Sequence, residues 1–305
     1  MGYETLQVGP NRWTNIDSLT KVEIERLQED YKQFHPLAIE DCLSLLERPK
    51  LDDYEDHLFI VMQFPLWDQS KRLTRSGEVD IFVGQDFVVT VHDGRLKPLN
   101  TLFENLRNNK ELREECLSQG GGRMMHLIVD RLTDYLFPII SKVNTSIHAI
   151  EEEIFSEELS EIVQEISVVR RDIISLRRIV RPQVALVANL EKINRPFIRD
   201  ELDDYFGDIL DHMIKVRDIL DENAEVIAGL ADTAATLSSH RTNEVMRILT
   251  VISVVILPMT LISGIFGMNV PLPWQKKAWS LGMVLLLMFG ISGGMMWYFR
   301  QKRWL

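Results

Sequence analysis

Hydrophobic and polar positions are spread unevenly along this chain, and its last sixty residues are the most readable part. Ile248 to Met268 runs for 21 residues without a charged side chain, and Ala278 to Phe299 for 22 more. As helices, each would span roughly 30 Å, the thickness of a bilayer's hydrocarbon core. Trp297 and Tyr298 close the second run, and Arg300, Lys302 and Arg303 follow, an arrangement suited to a membrane interface. The pattern predicts transmembrane helices at 248–268 and 278–299, an external loop at 269–277 and a basic tail at 300–305. A loop that short holds no domain, so both ends of the chain should lie on one side. The basic tail and the lack of a signal-peptide pattern in the first residues make that side the cytoplasm, in a cell (inner) membrane. Lys276 and Lys277 in the loop run against the rule.

Upstream, residues 1–119 mix two periods. His57–Phe64, Glu78–Val83 and Phe87–Val91 read as strands, the last two joined through Gly84-Gln85-Asp86 as a hairpin. Lys21–Gln33 and Pro36–Leu46 read as helices, which makes this an α+β domain. Gly120-Gly121-Gly122 breaks the chain, and 120–199 reads as a long antiparallel helical hairpin. One helix runs from Arg123 to about Glu158 with an acidic tip, and its return runs from Leu159 to about Leu190. Residues 200–247 are a stalk helix. Phe206, Ile209, Met213, Val216, Leu220, Asn223, Ile227, Leu230, Ala234 and Leu237 alternate spacings of three and four, a heptad seam with one polar member. Such a seam serves either self-assembly or burial against the chain's own helices. No breaker separates the stalk from the first span, so Glu201 to Phe266 would form one helix about 100 Å long at 1.5 Å per residue.

The same spacing continues into the membrane at Asn243, Met246, Thr250, Ser253, Leu257, Thr260 and Gly264, and five of these seven are small or polar. In lipid, such a row faces either a partner helix or water. Two spans cannot enclose a channel, so a pore-lining role would require several subunits. No Asp or Glu follows Arg247. Hydroxyl and amide groups hold an ion's water shell rather than replace it, which suits Mg²⁺, the divalent ion most reluctant to dehydrate.

Charge sharpens this picture. The chain has 34 Lys/Arg and 45 Asp/Glu, but only one acid and seven bases lie from His240 onward, leaving a formal charge of −17 on the first 239 residues. An acidic body with an apolar, mildly basic end argues against nucleic acid and for cations and a membrane. Cys42 and Cys116 form no CxxC, and the seven histidines form no HExxH. No phosphate loop or nucleophile elbow is present, so no enzyme and no organic cofactor is expected.

Gly267-Met268-Asn269 stands at the end of the polar row, immediately before the loop. Together with Thr242-Asn243-Glu244-Val245-Met246, Leu249-Thr250, Pro258, Thr260 and Gly264-Ile265-Phe266, it resembles the pore helix of the CorA family of divalent-cation (magnesium/cobalt) transporters. His35-Pro36-Leu37, Glu40-Asp41, Arg48-Pro49-Lys50 and Lys302-Arg303-Trp304-Leu305 extend the resemblance over nearly the whole chain. It implies a homopentameric funnel, with Asn269 in a ring that meets the hydrated ion beside Gly267 and Met268, and with Thr260 and Gly264 below. Leu257, Leu249 and Met246 would form an apolar constriction with Asn243 as a polar ring at its inner end. Tyr205-Phe206-Gly207-Asp208 and Asp211-His212 match the family's stalk. This implies regulatory Mg²⁺ held between subunits by Asp208 and a neighbour's Asp41, with Glu40 beside it. The loop Val270–Lys277 departs from the family's acidic form and is basic.

These readings converge on a potential-driven Mg²⁺ channel that could also pass Co²⁺ and Ni²⁺, gated by Mg²⁺ bound between cytoplasmic domains. Two alternatives stay open, a zinc transporter of the related ZntB type and a membrane-anchored metal sensor that conducts nothing.

Overall fold

The computed structural model describes residues 2–18, 20–44, 47–69, 71–155, 159–193, 195–198, 203–268, 279–302 and 304. They divide into two compact units, Met1–Ala231 and Asp232–Leu305.

The first unit is built on one six-stranded sheet. Its strands are β1 (Tyr3–Val8), β2 (Asn11–Ile16), β3 (Lys50–Asp53), β4 (Leu58–Asp68), β5 (Leu73–Val83) and β6 (Phe87–His92), in the order β1-β2-β6-β5-β4-β3. Every neighbouring pair is antiparallel except β2 and β6, which run parallel. The hairpin expected at Gly84–Asp86 joins β5 to β6, and Glu78–Val83 is the inner half of an eleven-residue strand. Leu58–Pro65 of β4 and Val79–Val83 of β5 are buried without alternation, which means that both faces of the sheet are covered. One face carries Ile16, Phe59, Val61, Phe82, Val89 and Val91. These pack with Leu27, Tyr31, Phe34, Ala38, Ile39 and Cys42, from helices α1 (Lys21–Asp30) and α2 (Pro36–Leu43) and the turn between them. Phe34 stacks on Phe82 with ring centroids 4.1 Å apart.

The other face is covered by α3 (Lys97–Asn108), α5 (Gly121–Asp134) and α7 (Leu159–Leu190), with α4 (Lys110–Leu117) between α3 and α5. Trp13 meets Phe103 of α3 edge-on at 4.9 Å, and its indole N–H donates to Thr90 Oγ1 at 3.0 Å. Gln183 of α7 locks that helix to β4, since Gln63 N donates to Gln183 Oε1 at 3.1 Å and Gln183 Nε2 donates back to Gln63 O. The glycine triplet is the point where the helical region is pinned to the sheet. Gly120 has φ +94°, and a Cβ on Gly121 would sit 2.1 Å from Gly84 O and 2.7 Å from Phe87 O, so only glycine permits this approach.

Two expectations about the helices need correction. The single helix expected from Arg123 to about Glu158 is two, α5 and α6 (Leu136–Glu153), parted at Tyr135. Pro138 explains the break, because it has no N–H to offer the Asp134 carbonyl. The helix expected over Lys21–Gln33 ends at Asp30. The return helix matches its expected bounds, and Glu153 and Ser146 of α6 share a cleft with Glu161 and Val169 of α7, an antiparallel arrangement. The heptad seam settles on burial within the chain over most of its length. Phe206, Ile209, Met213, Val216 and Leu220 of α8 (Asp203–Phe266) are 0% exposed and Ile227 is 1%, whereas Leu230 and Leu237 at the far end are only partly buried. Asn223, the polar member, donates to Asn144 Oδ1 of α6 at 2.6 Å, and Asp221 pairs with Arg177 and Arg181 of α7.

In the second unit, α8 continues to Phe266 with Pro258 inside it, and α9 (Ser280–Gln301) follows. Both helices are long and apolar enough to cross a membrane, and the apolar windows are almost wholly exposed within the chain.

Candidate ion path and metal centre

The membrane half of α8 has two unlike sides. Val251 and Val255 are buried. Rotated roughly half a turn away at 100° per residue stand Thr250, Ser253, Leu257, Thr260 and Gly264, all exposed, with Asn243, Met246 and Leu249 exposed toward the inner end. Leu257 is 66% exposed and adjoins other exposed apolar side chains at Leu249, Ile252, Ile256 and Leu261, the kind of patch that marks a membrane or protein interface. The three hydroxyls of the row are committed in one direction. Thr250 Oγ1 donates to Met246 O at 2.7 Å, Ser253 Oγ to Leu249 O at 2.8 Å and Thr260 Oγ1 to Ile256 O at 3.1 Å. A hydroxyl whose proton is spent inside the helix presents only lone pairs outward. The waters around a cation point their hydrogens outward, so such a face can accept from them. Gly264 is open, with nothing near a Cβ position, and Gly267 N closes the helix end on Ser263 O at 2.8 Å, followed by Met268. Asn269, the residue expected to meet the ion, lies outside the described residues, as do Lys276 and Lys277.

Within the first unit, α5 and the start of α8 build a second group. Aromatic packing sets their register. His126 lies edge-on to Phe206 at 5.5 Å and to Tyr205 at 5.3 Å, Arg123 stacks over Tyr205 at 4.2 Å, and Phe137 meets His212 edge-on at 5.4 Å. Burial, with Arg123 adding to it, pulls His126 down to about 4, so the imidazole is neutral. At the rim of this packing, Asp130 and Asp134 of α5 and His212 of α8 place one ligand atom each within 4.8 Å of one another. His212 Nδ1 is buried and has no hydrogen-bond partner, and Asp208 Oδ2 lies 4.0 Å from it, one turn back. Desolvation and then the Asp134 charge raise the Asp130 carboxyl, while His212 opposes the rise. Two crowded carboxylates and an orphaned imidazole nitrogen form a donor set that fits a divalent cation. Of the expected regulatory residues, the structure therefore brings Asp208 to this group.

It does not bring Asp41 or Glu40 there. Both sit on α2, where Asp41 is ion-paired with Lys50 Nζ at 2.6 Å and Glu40 is exposed, and no hydrogen bond or ion pair links them to Asp208. Lys50 is shared with Asp52 at 2.9 Å, and these two carboxylates outweigh its partial burial and raise its pKa. Sequence reasoning missed Asp130 and Asp134. The signal was their i, i+4 spacing on the same side of α5 as the buried His126, but its partner His212 lies far along the chain.

Comparison with known proteins gives the family of the chain. The family described as "CorA-like Mg2+ transporter protein" matches residues 10–302. YfjQ of Bacillus subtilis is 33% identical over 280 residues, covering 91% of this chain and 85% of its own. The cobalt/magnesium transport protein CorA of Thermotoga maritima is 28% identical over 294 residues, covering 96% and 83%. Among solved structures, the complete CorA magnesium transporter of Methanocaldococcus jannaschii has the same fold, with a TM-score of 0.85 over 98% of this chain and 93% of that one at 18% identity. The acidic α/β unit, the two apolar helices and a match spanning nearly every described element leave one conclusion, that this chain is a membrane protein of the CorA family of divalent-cation transporters.

Proposed function

We propose that the protein forms a homo-oligomeric channel, a pentamer by family likeness, for hydrated Mg²⁺. The membrane half of α8 would line the path, with both termini in the cytoplasm. The observation that carries this reading is the one-sided row of hydroxyls whose protons are tied to the helix backbone. A ring of such rows offers acceptors alone, which complement a cation that keeps its water. Entry needs no chemical fuel, because two charges moving down a 100 mV potential gain about 4.6 kcal/mol. Leu257, Leu249 and Met246 form apolar rings that close the path by shedding water, and Asn269 selects at the outer mouth.

Regulation follows from the cluster on α5 and α8. Asp208, Asp130, Asp134 and His212 would hold a cytoplasmic divalent cation, completed by Asp41 and Glu40 of a neighbouring subunit. A bound cation offsets repulsion within the −17 body and favours one arrangement of subunits. By linkage, losing it favours the other, so the internal ion level sets the fraction open. His212 speaks for a zinc, cobalt or nickel reading instead, since an imidazole is a poor ligand for Mg²⁺.

Ion uptake into liposomes carrying a K⁺ diffusion potential, with and without a pH gradient, separates these readings. Voltage-driven Mg²⁺ entry that is lost in Asn269→Ala supports the channel. Zn²⁺ entry that requires the pH gradient, with no Mg²⁺ flux, replaces it with the zinc transporter. No flux of either ion leaves a sensor.

A further inference from the structure

A second group of metal-ligating side chains lies on the opposite side of the sheet from α5, under α2, and neither the transport reading nor the regulatory cluster uses it. Asp80 stands on β5, a central strand, and is only 3% exposed. Its Oδ1 is buried with no hydrogen-bond partner. Beside it is the Cys42 thiol, on the inward side of α2, which donates to Ala38 O at 3.2 Å. Glu78 is two residues along the same side of β5, and its Oε2 accepts from Glu47 N at 2.5 Å. The hydroxyls of Ser44 and Ser76 are also buried without partners. All five side chains line one cavity of about 390 Å³, which Asp93 and Arg95 also border.

An unpaired carboxyl oxygen in the core of a sheet is costly even when the group is neutral. An apolar residue would satisfy the β5 position better, because its cross-strand neighbours on that face are Val61 and Val91. Burial, and after it the Glu78 charge, pushes Asp80 up to about 8. Desolvation raises Glu78 as well. Lys50 opposes the rise at Asp80 only weakly, and it is already held by Asp41 and Asp52. Arg95 at the edge of the cavity is held by Asp93, so among the described residues no ion pair joins Asp80 or Glu78 to a cation.

We infer that this cavity is a binding site for a thiophilic divalent cation such as Zn²⁺ or Co²⁺, with Cys42 Sγ and the Asp80 carboxylate as ligands. Glu78 joins them by leaving the Glu47 amide, and water or the Ser44 and Ser76 hydroxyls fill the remaining positions. Thiolate with carboxylate selects this class over Mg²⁺, which takes oxygen ligands and keeps its water. Binding displaces the thiol proton and any proton on Asp80 to solvent. The site stands independently of the transport reading. It bears on it because α2 also carries Glu40 and Asp41, so a metal drawn to its inner side acts on the helix that presents those two carboxylates.

The test uses the full-length detergent-solubilised protein titrated with Co²⁺ alone. One equivalent should produce a sulfur-to-cobalt charge-transfer band in the near ultraviolet that Zn²⁺ abolishes and Mg²⁺ does not. Cys42→Ser should remove the band and Asp80→Asn should weaken Co²⁺ binding at least tenfold, whereas Cys116→Ser should leave both unchanged. No charge-transfer band at stoichiometric Co²⁺, or a band that survives Cys42→Ser, overturns the inference. Should a variant fail to fold, the wild-type protein still decides the question. Zn²⁺ should slow alkylation of Cys42 at least tenfold relative to Mg²⁺, as mapped by peptide mass, and equal rates would reject the site.

Discussion

The two halves of α8 carry the same alternation of three- and four-residue spacings and meet opposite fates. In the first, Phe206, Ile209, Met213, Val216 and Leu220 disappear completely into the chain's own helices. In the second, Asn243, Met246, Thr250, Ser253, Leu257, Thr260 and Gly264 stay on the outside. A period of 3.5 shows which residues share a side of a helix, and it is silent on what covers them. In the first half, large apolar side chains fill gaps between α5, α6 and α7, where the hydrophobic effect drives closure. In the second half, lipid removes that drive, and small and hydroxyl-bearing residues leave room for a partner or for water.

The comparison can be broken most severely at Phe206. Phe206→Ala should cost about 3–5 kcal/mol through the lost transfer and the cavity left behind. Urea titration followed by tryptophan fluorescence would measure it. A loss under about 1 kcal/mol would mean that the first half is no more committed than the second.

Acid offers the next largest effect. His92 lies among Asn15 and the Gly94 amide, which donates to its Nδ1 at 3.0 Å, and burial lowers it to about 4, as it does His126. Both imidazoles stay neutral in the folded state, so the unfolded chain binds more protons between pH 6.5 and 4. Stability is therefore full above pH 6.5 and falls as pH drops through that window, by about 1–3 kcal/mol per group. Thermal unfolding from pH 7 to 4.5 should show this loss, and His126→Phe should remove about half of it, leaving the share of His92. No histidine follows His240, so far-ultraviolet helicity of an isolated 241–305 segment in micelles should be indifferent to the same change.

Smaller again is the polar member of the buried seam. Asn223→Leu strands the Asn144 amide and should cost about 1–3 kcal/mol, while adding Asn144→Leu should recover most of it. Failure of the double variant to recover would show that the pair does more than satisfy itself. Smallest in folding terms is the exposed row. Leu257→Ala and Thr260→Val should shift Tm by no more than a degree or two, yet Thr260→Val should slow Mg²⁺ flux several-fold. A large drop in Tm for either would place the row in intramolecular packing.

What could be read in advance divides along similar lines. The spans, the bounds of α7, the β5–β6 hairpin and the unbroken α8 all depend on local periodicity, which the sequence displays openly. The β1–β2 hairpin did not, because Tyr3–Val8 carries too few apolar residues to alternate, and its parallel partner lies over seventy residues away. The break at Tyr135 depended on a proline three residues later. Asp130, Asp134 and His212 became a group only when α8 folded back on α5, and Cys42 met Asp80 only when α2 lay on the sheet. Contacts of that range leave no trace in a single sequence.

The hydroxyl row has a further consequence, for protons rather than metal ions. Proton hopping along hydrogen-bonded groups requires each member to pass on its hydrogen and then turn to receive another. Thr250, Ser253 and Thr260 each spend that hydrogen on a carbonyl of their own helix. In the proposed path, a proton would therefore have to travel along the water and not along these side chains. The path's leak of protons would then be set by how continuous that water is, and the apolar rings at Leu257, Leu249 and Met246 would be what interrupts it.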